Sequence, residues 1–143
     1  MKMFTAPKLK VGDTIGIFCA SHIYTDQWYA QALWTLERLG FKVKAGKNAR
    51  LDTYGYAASA EKRAADINAL VADDEVKMLL FGGGGGAAEI FPYIDFENIR
   101  KHPKLFSGYS DGTSILNAVH AQTDLVTYYG QGPVEFAELR QYD

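Results

Sequence analysis

A serine at the centre of a glycine-flanked segment is the clearest chemical feature of the sequence. Residues 108–112 read Gly-Tyr-Ser-Asp-Gly, which matches the pattern G-x-S-x-G. In this motif a tight turn between a strand and a helix lifts the serine hydroxyl out of the sheet. The helix N-terminus then sets backbone N–H groups beside a developing oxyanion. Ser110 is therefore a candidate nucleophile, and the alternative is that Ser110 or Asp111 only caps the helix that follows.

A run of five glycines, residues 82–86, is the second feature. Glycine costs backbone entropy and a simple turn needs only one or two, so the run indicates close approach of backbone N–H groups to a substrate. Gly82, Gly84 and Ala87 also fit the loose spacing of a dinucleotide fingerprint. The run follows the third predicted strand instead of the first, and no suitable ribose-binding acid follows. Nucleotide binding is therefore the weaker interpretation.

A serine nucleophile needs a general base within hydrogen-bond reach, and the three histidines fit that role poorly. His120 lies ten residues after Ser110 on one predicted helix, which is about 15 Å at the α-helical rise. His102 precedes the fourth predicted strand and is expected at the opposite edge of the sheet. His22 is expected at the correct edge, but as a loop or substrate-contacting residue. The sequence thus offers a nucleophile without a clear base.

The elements that must position these residues alternate between strand and helix along the chain. Short apolar runs predict the strands, and apolar residues at helical spacing predict the helices. The predicted strands are 14–20, 41–45, 76–81, 104–107 and 125–129. The predicted helices are 27–39, 59–71, 87–91 and 113–121. This order predicts one α/β domain with an open, mostly parallel sheet and helices on both faces, of the flavodoxin or Rossmann type.

Ligands of such sheets bind beyond the carboxyl ends of the strands. Three loops are expected there: the Ala20-Ser21-His22 segment, the glycine run and the G-x-S-x-G turn. We therefore expect Ser21 and His22 to contact a substrate alongside the glycine run.

Composition excludes several classes of protein. The 143 residues are 48% hydrophobic, enough to bury the core of one domain. A formal net charge of -2 argues against a dedicated nucleic-acid binder. No apolar run reaches the roughly 18 residues of a membrane span, and the first residues lack a secretory signal. The single cysteine, Cys19, favours a cytoplasmic location and argues against disulfides and cysteine-based metal sites. We expect neither a metal nor a cofactor.

Several sequence blocks, in their order and spacing, resemble the LD-carboxypeptidases. These serine peptidases include the muramoyltetrapeptide carboxypeptidases and the microcin C immunity peptidases. The blocks are 7–16, 65–68, 74–77, 82–86, 91–96, 103–104, 108–111 and 125–130. They cover nearly the whole chain, which makes the resemblance far more specific than G-x-S-x-G alone.

The resemblance implies roles for individual residues. Ser110 matches the family's nucleophile. The backbone N–H groups of Asp111 and Gly84 match its oxyanion hole, with Gly83 and Gly85 beside them against the substrate. A histidine and a glutamate in a separate C-terminal domain complete the family's triad, which would explain the missing base.

The resemblance also implies a domain organisation and a substrate. Residues 1–130 would be the nucleophile-bearing N-terminal domain, and residues 131–143 an exit segment or linker. The chain alone is then expected to be inactive. The full-length enzyme, a homodimer, would hydrolyse a C-terminal amide bond in a murein tetrapeptide or a microcin-like peptidyl conjugate.

The sequence departs from the family at the glycine run and near its end. Gly82 stands where many members carry arginine, and residues 85–87 replace a larger residue and a serine or asparagine. The segment 130–133 is longer than the usual Gly-Pro. These departures favour the immunity-type branch or a divergent one. Two other hypotheses stay open: a non-catalytic module whose glycine run holds an anion or peptide carboxylate, and a complete α/β-hydrolase-type esterase.

Overall fold

Five parallel strands form one sheet in the computed structural model, which describes residues 2–82, 84–130 and 132. The strands are β1 (Thr14–Ile17), β2 (Lys42–Ala45), β3 (Val76–Leu80), β4 (Leu105–Gly108) and β5 (Tyr128–Tyr129). Their order across the sheet is β2-β1-β3-β4-β5. The chain reverses its direction of travel between β1 and β3, which is the position where open sheets of this type bind ligands.

Helices connect the strands, and three of them begin at a side chain that accepts a hydrogen bond from a free backbone N–H. The α-helices are α1 (Asp26–Arg38), α2 (Ala60–Ala72), α3 (Phe96–Lys101) and α4 (Thr113–Thr123). Two 3₁₀ helices lie at Ala87–Tyr93 and Ser110–Gly112. Thr25, Ser59 and Asp95 accept hydrogen bonds from the first turns of α1, α2 and α3.

Apolar side chains fill both faces of the sheet. Phe18, Leu79 and Phe106 belong to the larger core under α2, α3 and α4. Ile15, Ile17 and Leu80 pack with Leu36 of α1 on the other face. The prediction of an α/β domain with a parallel sheet and helices on both faces is confirmed.

The main differences from the prediction are at two strands and one missed helix, while other element ends differ by one or two residues. Strand β1 ends at Ile17 instead of residue 20, because its partner β2 ends at the paired residue Ala45, and the N–H of Gly46 donates the last bond to the Ile17 carbonyl. Strand β5 is limited to Tyr128–Tyr129, while Leu125 forms an isolated bridge with Phe4. Helix α3 was missed, since six residues are too few to show helical periodicity.

In the part of the chain that the structure describes, no helix has the length and apolarity to cross a membrane. The predicted linker at residues 131–143 lies outside the described residues, Gly132 apart, and the domain boundary at residue 130 stays a prediction.

Candidate active site

The G-x-S-x-G turn joins β4 to α4 and holds Ser110 in an uncommon conformation. Ser110 is exposed and has φ 54°, a left-handed backbone that a non-glycine residue rarely adopts. The glycines on either side allow the turn to lie against the end of β3. A Cβ at Gly108 would lie 2.6 Å from the Phe81 ring, and one at Gly112 would lie 2.9 Å from the Gly82 carbonyl oxygen. Tight packing therefore holds the serine above the sheet.

The structure does not support the alternative that Ser110 or Asp111 caps α4, the helix that follows. Gly112 occupies the N-cap of α4, and no side chain bonds there. Asp111 Oδ2 instead accepts a hydrogen bond from the backbone N–H of Ala87, 2.8 Å away. Since Ala87 follows the glycine run, the Asp111 carboxylate ties the serine turn to the glycine loop.

Gly84 brings the glycine loop against the loop that follows β1. Its φ of 154° lies in a region that side chains disfavour, and a Cβ there would overlap the Ser21 hydroxyl. A Cβ at Gly85 would lie 3.5 Å from His22 Cε1. The structure thus places Gly84 and Gly85 beside Ser21 and His22. Gly83 lies outside the described residues, and its substrate contact stays a prediction.

Ser21 and His22 differ in their exposure. Ser21 is 1% exposed, and its carbonyl accepts the N–H of Ala57 at 2.9 Å. His22 is exposed, and its ring packs on Tyr56 with 5.0 Å between ring centroids. Ser21 therefore supports the loop from below, whereas His22 is available at its rim. Their predicted substrate contacts remain predictions.

The other two histidines have contacts away from the serine turn. His120 Nδ1 lies 2.9 Å from the Leu125 carbonyl oxygen, near the far end of α4. His102 ends α3, and its Nδ1 is 4.0 Å from Asp74 in the connection before β3. Both histidines thus have contacts of their own, and the expectation that neither serves as a base for Ser110 stays a prediction.

Cys19 is a buried thiol near the end of β1. Burial raises its pKa to about 11, so the thiol stays protonated and unreactive at neutral pH. Among the described residues no cluster of three histidine, cysteine, aspartate or glutamate side chains could hold a metal ion.

Two side chains that the sequence analysis did not single out, Tyr24 and Arg63, lie at the same edge of the sheet as Ser110 and the glycine loop. Tyr24 places its hydroxyl where a Cβ at Gly82 would lie, so this chain has a tyrosine hydroxyl in the space beside residue 82. Arg63 is buried beneath the loops and bonds to several of their backbone carbonyls. Arg63 shares an apolar stripe with Ile67 and Leu70, and a cation in such a stripe is the signal that could have revealed it.

Comparison with known proteins identifies the family. The model of the LD-carboxypeptidase N-terminal domain (Peptidase_S66) matches residues 15–130. A probable murein peptide carboxypeptidase of Bacillus subtilis is 44% identical over 128 residues, covering 85% of this chain and 39% of the relative.

Solved structures agree. The apo microcin C7 self-immunity protein MccF superposes with a TM-score of 0.90 at 31% identity, over 95% of this chain and 42% of MccF. The muramoyltetrapeptide carboxypeptidase of Oxalobacter formigenes gives a TM-score of 0.76 at 25% identity, over 84% of this chain and 40% of that protein. The chain thus spans about two fifths of the length of these relatives. It belongs to the LD-carboxypeptidase family and carries that family's N-terminal domain.

Proposed function

We propose that this chain is the nucleophile-bearing part of a serine carboxypeptidase in which Ser110 attacks an amide carbonyl at the C-terminus of a small peptide. The observation that carries the proposal is the conformation of Ser110. It is exposed, has φ 54° and sits on a turn tied to the glycine loop through Asp111 and Ala87. A serine that only packed or capped a helix would not need this strained position.

The oxyanion hole of the proposed enzyme consists of two backbone N–H groups, from Asp111 and Gly84. They would stabilise the negative charge that develops on the carbonyl oxygen during attack. Loss of one such donor typically raises the barrier by about 3–4 kcal/mol. Gly83 and Gly85 would contact the substrate from the same loop, with Ser21 behind it and His22 at its rim.

The general base of the proposed enzyme is a histidine held by a glutamate, both outside these 143 residues. The contacts of His102 and His120 and the two-fifths coverage of the relatives support this part of the proposal. The chain alone should therefore show little or no turnover. No metal or cofactor takes part in the proposed reaction.

The proposed substrate is a murein peptide or a peptidyl conjugate. The name of the Bacillus subtilis relative specifies a murein peptide, and solved MccF complexes contain aminoacyl sulfamoyl nucleosides. We also propose a cytoplasmic location and a homodimeric full-length enzyme; sedimentation of that enzyme would test the dimer.

The test is a joined protein in which residues 1–130 precede the C-terminal part of the Bacillus subtilis relative. We expect it to cleave a peptide that ends in a D-amino acid. Ser110→Ala should lower kcat by about 10⁴-fold or more. Ser59→Ala removes a serine from the cap of α2 and serves as the matched control, with activity retained.

Full activity of Ser110→Ala would disprove the assignment of the nucleophile. A fluorophosphonate probe gives a second readout, since mass spectrometry should locate the label on Ser110 in the joined protein. Substrate binding without cleavage or labelling would favour the rival hypothesis of a non-catalytic binding module.

A further inference from the structure

Arg63 is a buried cation beneath the candidate site. Its side chain is 3% exposed, although it lies on α2 in line with the apolar Ile67 and Leu70. The guanidinium Cζ lies 5.0 Å from the centroid of the Tyr56 ring. An apolar side chain would pack in this stripe without the cost of removing a charge from water. The presence of arginine therefore calls for an explanation in its contacts.

The Arg63 guanidinium donates mainly to backbone carbonyls. Nε bonds to the Ala58 carbonyl at 3.0 Å, and Nη1 to those of Ala20 at 2.6 Å and Gly86 at 3.4 Å. Nη2 bonds to Glu89 Oε2 at 2.8 Å, and the Glu89 side chain is 57% exposed. A planar group with several fixed donors can hold three such carbonyls at once, and a lysine ammonium cannot match that geometry.

Two of the three bonded carbonyls, those of Ala20 and Gly86, belong to the two loops that meet at the site, and Ala58 directly precedes α2. Ala20 precedes Ser21, whose hydroxyl packs on Gly84. Gly86 precedes Ala87, whose N–H is held by Asp111 next to Ser110. One side chain thus fixes both loops to the same helix.

We propose that Arg63 is a positioning residue that sets the separation of the β1–α1 loop and the glycine loop, and so places Gly84 relative to Ser110. This inference rests on the proposed function for its catalytic consequence. Its structural content, the attachment of the two loops to α2 through the carbonyls of Ala20 and Gly86, is measurable without catalysis.

The first test is amide hydrogen exchange of the 143-residue chain. Ala57 N–H bonds to the Ser21 carbonyl, and Ala87 N–H to Asp111, so both amides report on the loops. Arg63→Lys should accelerate exchange at Ala57 and Ala87 about tenfold or more, and at Leu79 in β3 by less than about threefold. Arg100→Lys, at an exposed arginine of α3, should change none of the three amides. Unchanged exchange at Ala57 and Ala87 in Arg63→Lys would overturn the proposal.

The second test measures kinetics in the joined protein. Arg63→Lys should lower kcat about 10- to 100-fold with KM within about threefold, since misplaced reacting groups affect the chemical step more than substrate binding. Glu89→Gln removes the charge partner and leaves the three carbonyl bonds. It should keep kcat within about threefold of the parent.

The outcomes separate this inference from the proposed function. Full activity of Ser110→Ala would disprove the assignment of Ser110 as nucleophile, but it would not affect the hydrogen-exchange result for Arg63→Lys. An unchanged kcat in Arg63→Lys would disprove the positioning role of Arg63, but it would not affect the assignment of Ser110 as nucleophile. Equal losses in Glu89→Gln and Arg63→Lys would assign the effect to the ion pair and overturn the role of the carbonyl bonds. If Arg63→Lys fails to fold, a loss of kcat of about 10-fold or more in Glu89→Gln would still overturn the proposal, because that variant leaves the carbonyl bonds of Arg63 in place.

Discussion

The two edges of the sheet hold their polar groups in different ways. At the carboxyl edge, Arg63 and Asp111 bond to backbone atoms of the loops, and Ser110 keeps a strained backbone. At the amino edge, Asp73 forms an ion pair with Lys44, and both side chains are partly exposed. Lys104 Nζ donates a hydrogen bond to the Asp73 carbonyl at 2.9 Å. Bonds to backbone fix loop positions more firmly than exposed ion pairs do, and at the carboxyl edge such bonds join loops that are distant in sequence. The backbone of the loops at the carboxyl edge is therefore held in a more fixed position than the connections at the amino edge.

The largest effect should come from Gly108→Ala at the carboxyl edge. The new Cβ would lie 2.6 Å from the Phe81 ring and 2.9 Å from the Phe81 carbonyl oxygen, and backbone cannot move aside cheaply. We expect the free energy of unfolding to fall by about 2–3 kcal/mol in urea denaturation. Gly130→Ala is the matched control, because its Cβ would meet Ser107 Oγ at an ordinary 3.6 Å. Equal stability of the two variants would contradict the tight packing of the serine turn.

The two edges should also respond to acid with opposite signs. Burial raises the pKa of Asp66, which accepts bonds from Asn48 after β2, whereas the Lys44 ammonium lowers the pKa of Asp73. Asp66 therefore lowers the stability of the fold as pH rises above 3.8, the ordinary pKa of an aspartate. Asp73 instead contributes stability that is fully present above pH 3.8. This stability is lost as the pH falls through the lower pKa that Asp73 has in the folded chain.

Urea denaturation between about pH 3 and pH 6 tests these signs. Relative to the parent, Asp73→Asn should gain less stability as pH rises, and Asp66→Asn should gain more. The difference between variant and parent slopes is the measurement, because other carboxyl groups titrate in the same range. The same direction of change in both variants would contradict the contrast between the edges.

The smallest effect should come from Lys44→Met at the amino edge. Its ion pair with Asp73 is partly exposed and screened by solvent, so we expect the thermal midpoint to change by about 2 °C or less. Lys42→Met, on an exposed neighbour of the same strand, is the control. If Lys44→Met lowered the thermal midpoint as much as Gly108→Ala does in the same measurement, the amino edge would also be held rigidly.

Local patterns predicted much of the fold. Helix α2 and its Ser59 cap were recovered within one or two residues, because its apolar stripe is long and its cap is adjacent in sequence. The end of β1 depends on where β2 stops, and β5 depends on its pairing with β4. Those are tertiary facts that a run of apolar residues does not contain.

The candidate site was predictable at the level of its loops but not of its contacts. The G-x-S-x-G motif predicted Ser110 as the nucleophile and the glycine run predicted a substrate loop, whereas the choice of Gly84 within that run came from the family resemblance; both roles stay predictions. The bond from Ala87 to Asp111 joins residues 24 apart, and the bond from Arg63 to Ala20 joins residues 43 apart. The apolar stripe of α2 could have singled out Arg63, but no local pattern specifies the distant carbonyls to which it bonds.

The bridge between Phe4 and Leu125 has a consequence for synthesis of the protein. Phe4 N–H bonds to the Asp124 carbonyl, and the Phe4 carbonyl accepts from Val126 N–H. Residues near the start of the chain thus wait until residue 126 has left the ribosome before these bonds can form. Closure of so long a loop is slow relative to local helix formation. A segment that is translated early therefore forms these bonds only after the residues of β4 and α4 have been made.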